Sequence, residues 1–206
     1  MAHVTAAERR PQLIAAAIEL MAREGVAAGS TRAIAAELGV AQATVHYTFG
    51  TKADLYRAVL ESLSGELVVG AQRAVARATS LEEALRATAE AYWIDMNDQP
   101  ELNLVWFELI TLSLRSTELR EVVERHYRDI AEIATDALIE TGRRTGRSYA
   151  VPPEELAAFL LAGLDGVSVS HLIRGEAVPG PQTRGMLDRL VQATVALAGP
   201  PPVNGR

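Results

Sequence analysis

From Leu13 to Leu197 the apolar residues recur at the three- and four-residue spacing of an α-helix, and runs alternating with period two are hard to find. A chain patterned this way has to bury helix faces against one another, so the predicted fold class is all-α. At 206 residues it is long enough for one full domain, or for one small and one medium domain. An apolar share of 49% with 22% charged residues argues against disorder over most of the length. The absence of cysteine removes disulfides, thiolate zinc sites and cysteine nucleophiles. No stretch reaches the ~18 uninterrupted apolar residues of a membrane span, so no membrane partner is expected. Glu8, Arg9, Arg10 and Pro11 break up the beginning of the chain where a signal peptide would be apolar, and a cytoplasmic location is expected.

Leu13, Ile14, Ala17, Ile18 and Met21 share one helical face, and Gly25 closes that helix. Its start is open: Thr5 and Glu8 have capping-box spacing, but Pro11 then falls in the second turn, so the helix either bends there or begins near Arg10. A second short helix is predicted from Ser30, its N-cap, to Leu38, with Gly39 as terminator, and a third from about Ala41 to Tyr47. Thr51 caps a long helix toward Ala78. Further helices are predicted near 81–97, 101–114, 117–141, 153–173 and 182–198, separated by breaks rich in Gly, Pro, Asn, Asp and Ser. Residues 142–148 read as a mobile basic loop and 199–206 as a disordered tail.

Two short helices joined at a glycine fit a helix-turn-helix, with Ile34, Leu38, Val40 and Val45 as the buried contacts and Ala35 permitting close approach. The outward positions of the third helix are then Gln42, Ala43, Thr44, His46 and Tyr47, with Thr48 beside them. They make a hydrogen-bonding surface without an acidic group. Gln pairs with adenine edges, Ala and Thr touch thymine methyls, and Tyr47 and Lys52 have the reach for phosphates. Ser30 and Thr31 add hydroxyls at a helix N-terminus, and Arg32 suits a guanine or a phosphate. Charge supports this only weakly. The net charge is −6, but residues 1–57 hold six basic and five acidic groups while the remainder holds 14 and 21.

Gly25, Ser30-Thr31-Arg32, Ile34-Ala35, Gly39-Val40, His46-Tyr47, Phe49 and Lys52-Ala-Asp-Leu55 together resemble the TetR family of transcription regulators over residues 9–60. Two positions depart from the family pattern: His46 stands where Tyr is usual and Thr48 where His is usual. The resemblance implies an N-terminal three-helix DNA-binding domain, 1–56, and a larger helical ligand-binding and dimerisation domain, 57–206. It also implies DNA contacts from the second and third helices, Lys52 on a phosphate, and dimerisation through the last two long helices. Repression is the family's default, and no cofactor is expected.

The candidate dimer residues are Phe159, Gly163, Gly166, Val167 and Ser170 with Leu187, Leu190, Val191 and Thr194. Small residues among bulky apolar ones let helices approach closely and suit an isologous interface, although the residues alone fit a monomer core equally well. The resemblance to the TetR family favours the dimer, because two recognition helices must then meet half-sites roughly 34–36 Å apart. Large soft side chains concentrate in two consecutive helices, at Tyr92, Trp93, Met96, Trp106, Phe107 and Ile110. They either line a pocket for a largely apolar small molecule or simply fill core. Asn103, Glu108, Ser113, His126, Tyr127, Asp165 and Ser168 are the candidate polar contacts. An enzyme is disfavoured: no His-Glu-x-x-His, Gly-x-Ser-x-Gly or Walker loop occurs, and the four histidines are scattered.

Overall fold

The computed structural model describes residues 6–174 and 180–200. Among them are α1 (Ala6–Glu24), a 3-10 turn (Val26–Ala28), α2 (Thr31–Glu37), α3 (Gln42–Phe49), α4 (Lys52–Arg77) and α5 (Leu81–Asp98). Then come α6 (Pro100–Ser113), α7 (Thr117–Thr145), α8 (Pro153–Arg174) and α9 (Pro181–Leu197), with no strand among the described residues. The chain forms two compact units. One holds the stretch up to Gly65 together with Glu101–His126, and the other holds Glu66–Pro100 with the residues from Tyr127 onward. The continuous helices α4 and α7 each contribute to both.

In the first unit, apolar faces of α1 to α4 close on one core that includes Leu13, Ala17, Met21, Ile34, Val45, Leu55 and Val59. Burial of each larger side chain contributes about 1.5–3 kcal/mol. Val105 and Leu109 of α6 and Val122 of α7 complete this core. Local signals fix the short helices. The Ser30 hydroxyl accepts the Ala33 N–H at 3.2 Å, and Gly39 takes φ +67° so that Val40 N–H can return to the Ala35 carbonyl at 2.9 Å. The question left open for α1 is settled: the helix starts by Ala6 and runs through Pro11.

In the second unit α8 packs on α9 and both pack on α5. Their core includes Leu81, Leu85, Met96, Leu156, Leu160, Leu164, Leu187 and Val191. Ser80 caps α5 by accepting the Glu83 N–H at 3.1 Å, and Glu83 accepts the Thr79 N–H at 2.7 Å in return. α8 is long and apolar enough to cross a bilayer, with a mean hydropathy of 1.7, yet its inner face is core, and Glu154, Glu155 and Asp165 interrupt it.

The expected loop at 142–148 is corrected. α7 continues to Thr145, and Gly146 at φ +67° lets Arg147 N–H close on the Gly142 carbonyl at 2.8 Å, the hydrogen-bond pattern of a glycine-terminated helix. Arg144 meanwhile donates to the Val75 and Ala76 carbonyls at the end of α4. These basic side chains hold a helix end together, a role that composition does not reveal. The expected tail is partly described: the Gly199 carbonyl accepts from the Arg147 guanidinium, and residues 201–206 lie outside the described residues.

Candidate functional site

The candidate nucleic-acid interface is one edge of α3. Val45, fully buried, and Phe49 anchor the underside of this helix, and its spacing then places Gln42, Ala43, His46 and Tyr47 outward. Tyr47 is 87% exposed, which a core aromatic would not be. The Thr31 hydroxyl links α2 to this edge: it accepts from Gln42 Nε2 at 3.1 Å and lies 3.4 Å from His46 Nε2. Three side chains expected to meet DNA are therefore tied to one another before any duplex arrives. Arg32 is exposed. Thr44 and Thr48 are half-buried, and the Thr48 hydroxyl donates to the Thr44 carbonyl at 2.8 Å, within its own helix.

Behind α3, Gly50 at φ +71° ends the helix and Thr51 starts the next. The Thr51 hydroxyl accepts the Asp54 N–H at 3.0 Å and donates to Asp54 Oδ2 at 2.7 Å, and those bonds with Arg57 hold the Asp54 carboxyl below its usual range. Lys52 then stands exposed at the first turn of α4, its Nζ 5.1 Å from the Tyr56 ring centroid. An ammonium beside the free N–H groups of a helix start is suited to a phosphate.

The candidate dimer residues separate into two kinds. Val167, Leu187, Val191 and Thr194 are buried within the chain itself, and Gly163 abuts Leu190 so closely that a Cβ would fall 2.3 Å from its Cδ1. Ser170 accepts from Arg174 at 3.0 Å. Phe159 and Gly166 instead lie exposed on α8, in line with Ala162, Val169 and Ile173. These five are spaced 3, 4, 3 and 4, one apolar stripe on one face. Ala162, Val169 and Ile173 escaped the sequence analysis, although that spacing would have found them.

The ligand-side candidates also fall into two groups. In the first unit the Trp106 and His126 rings meet edge to face at 5.4 Å, Ser64 Oγ lies 3.2 Å from His126 Nε2, and Phe107 and Ile110 are partly buried. In the second unit Tyr92 Oη lies 2.8 Å from Ser168 Oγ, which donates to Met96 Sδ at 3.1 Å. Arg184 covers the Trp93 ring at 4.8 Å, and Tyr127 donates to Asp165 Oδ2 at 2.9 Å. Of the other polar candidates, Asn103 is half-buried, the Ser113 hydroxyl donates to the Ile110 carbonyl, and Glu108 accepts a backbone N–H.

Burial pushes the Asp165 carboxyl up from its usual range, and the Tyr127 hydrogen bond opposes that only in part; no cation acts on it among the described residues. An acid whose folded-state pKa is raised costs stability once the pH exceeds its unfolded value, about 3.9, and the cost is complete above the folded value. Asp165→Asn is therefore expected to melt higher than wild type at pH 7, with the gap closing as pH falls toward 4. Thermal melts at both pH values check this, and a gap independent of pH would contradict it.

A paired-helix motif with an exposed, acid-free edge on its second helix, set in an all-helical chain, defines the class: a helix-turn-helix DNA-binding regulator. Residues 13–59 match the family described as bacterial regulatory proteins, tetR family, and residues 81–196 match the BetI-type transcriptional repressor C-terminal family. The chain belongs to the TetR family of transcription regulators, which are DNA-binding proteins rather than enzymes. It is 29% identical to the HTH-type nicotine-responsive transcriptional repressor HdnoR of Paenarthrobacter nicotinovorans over 202 residues, covering 95% of this chain and 98% of that one. It is 27% identical to the HTH-type transcriptional regulator BetI of Agrobacterium fabrum over 166 residues, 81% of this chain and 78% of that one. Solved structures share the fold. A TetR-family regulator from Rhodococcus sp. superposes with a TM-score of 0.78 at 20% identity, covering 94% of this chain and all of that one. FadR of Bacillus subtilis, crystallised with stearoyl-CoA, does so with 0.73 at 17% identity, covering 91% and 98%.

Proposed function

We propose that this protein is a cytoplasmic repressor that binds a palindromic operator as a homodimer and is released by a small, largely apolar molecule. The observation that carries the DNA side is the exposed edge of Gln42, Ala43, His46 and Tyr47 on a helix fixed from below by Val45. Gln42 and Ala43 read base edges, Arg32 reads a base or a phosphate, and Ser30, Thr31, Tyr47 and Lys52 hold phosphates. The apolar stripe on α8 supports the dimer, because a second copy turned by a two-fold axis presents the same stripe.

The responsive relative HdnoR and the acyl-CoA-bound FadR support a small-molecule effector with a large apolar part. α4 begins at the residue after Thr51, directly behind the recognition helix, and continues into the second unit. A ligand that favours a different tilt of α4 changes the separation of the two reading edges, and it releases DNA to the extent that it binds that state better.

A duplex selected from a random library by the wild-type chain tests the division of roles. Lys52→Ala is expected to weaken binding to every sequence and to flatten its salt dependence. Gln42→Ala is expected to cost about 1–3 kcal/mol on the selected duplex and little on a scrambled one. If Gln42→Ala weakens both duplexes equally, Gln42 does not read bases.

A further inference from the structure

α6 follows the break at Gln99 and lies far along the chain from the reading helices, yet it is built into their unit. Val105 and Leu109, 1% and 2% exposed, fill the core shared with α1 to α4. On the same helix Glu108 Oε2 accepts the N–H of Val26 at 2.7 Å, across 82 positions of sequence. That N–H opens the 3-10 turn between α1 and α2, and the Val26 side chain is 2% exposed, so the turn is held from its backbone and its side chain together. Gly25 before it has φ 84° and ψ 161°, a conformation essentially confined to glycine, and a Cβ there would lie 3.4 Å from Glu108 Oε2. Four residues after Val26, Ser30 caps α2, and Thr31 follows with its bonds toward Gln42 and His46.

We propose that Glu108 is a positioning residue for DNA recognition: its bond to Val26 pins the α1–α2 turn, and through it the placing of α2 and Thr31 against the reading edge of α3. This rests on the DNA-binding assignment above. Glu108 never touches the duplex; it acts through the turn. A carboxylate makes the stronger kind of acceptor for a backbone N–H, and an amide oxygen of the same reach makes a serviceable one.

The test uses the full-length protein, a duplex selected by the wild type from a random library and a scrambled duplex of equal length. Two readouts are taken: the amide exchange rate of Val26 by NMR, and the ratio of affinities for the two duplexes. Glu108→Ala is expected to speed Val26 exchange and to lower the affinity ratio, each by about tenfold. Its affinity for the scrambled duplex should hold or rise slightly, because a negative charge is removed. Glu108→Gln should stay close to wild type on both readouts, as should Glu101→Ala, which removes an exposed acid from the same helix. Glu108→Asp, one methylene too short for the contact, should move in the direction of Glu108→Ala and decides the matter if the alanine variant does not fold. A wild-type affinity ratio in the alanine or aspartate variant overturns the proposal, and so does a glutamine variant as impaired as alanine. A wild-type chain that enriches no duplex sinks the DNA-binding assignment itself and this role with it.

Discussion

Gly166→Glu is expected to leave the single chain at least as stable as wild type while abolishing self-association and lowering affinity for a palindromic duplex by about 100-fold or more. The two effects have separate causes. A Cβ at Gly166 meets nothing within 4 Å inside the chain, so the larger side chain enters open space. Replacing glycine in a helix interior also removes up to about 1 kcal/mol of backbone-entropy cost. Against a second copy the same side chain places a carboxylate in the middle of the apolar stripe formed by Phe159, Ala162, Val169 and Ile173. A charge buried there without a partner costs several kcal/mol, and the two-fold axis doubles the insult. Each separated protomer then binds only its own half-site and loses the gain from linkage. Sedimentation, a thermal melt and titrations against full and half palindromes measure the three quantities. A variant that stays dimeric with undiminished affinity would remove the α8 stripe from the interface.

Ile34→Ala should destabilise the DNA-binding unit by about 2–5 kcal/mol, and operator binding should be lost as that unit melts. Ile34 has no exposed surface and sits on the inner face of α2, a helix of only seven residues. So short a helix has little stability of its own and is held by its packing. Removing three carbons there forfeits transfer energy and leaves a cavity that fixed neighbours cannot fill. Thermal melts followed by the amide signals of α2 and α3 measure the loss. A cost under about 1 kcal/mol would mean that the paired helices do not depend on this contact.

The paired-helix reading edge was legible in the sequence because every signal that defines it is local. Ser30 caps, Gly39 turns, Ile34 and Val45 face inward at helical spacing, and Gln42 and Tyr47 are left outside as a consequence. The ligand-side residues were less legible. Trp93 and Trp106 are close in sequence and both partly buried, but they lie in different compact units, and no periodicity distinguishes the two burials. Glu108 stood among the candidate polar contacts of a ligand; its partner is a backbone N–H, which carries no residue-type signal at all. On α8 small and bulky residues surround the whole helix, so composition gave interface candidates without saying which face the chain covers for itself.

Sequence alone therefore determined the order of the helices, the capped ends of the short α2 and α3, and the class of surface that α3 presents, since a short helix and its caps are set by contacts within about four residues; it left the start of α1 open and stopped α7 short of Thr145. Tertiary structure decided that α6 joins the unit of the reading helices, that Glu108 meets Val26, and that Val167 and Leu187 turn inward while Gly166 and Ile173 remain outside. The physical reason is that burial is a property of pairs of faces: a helix encodes that it has an apolar side, and only the packed chain assigns that side a partner.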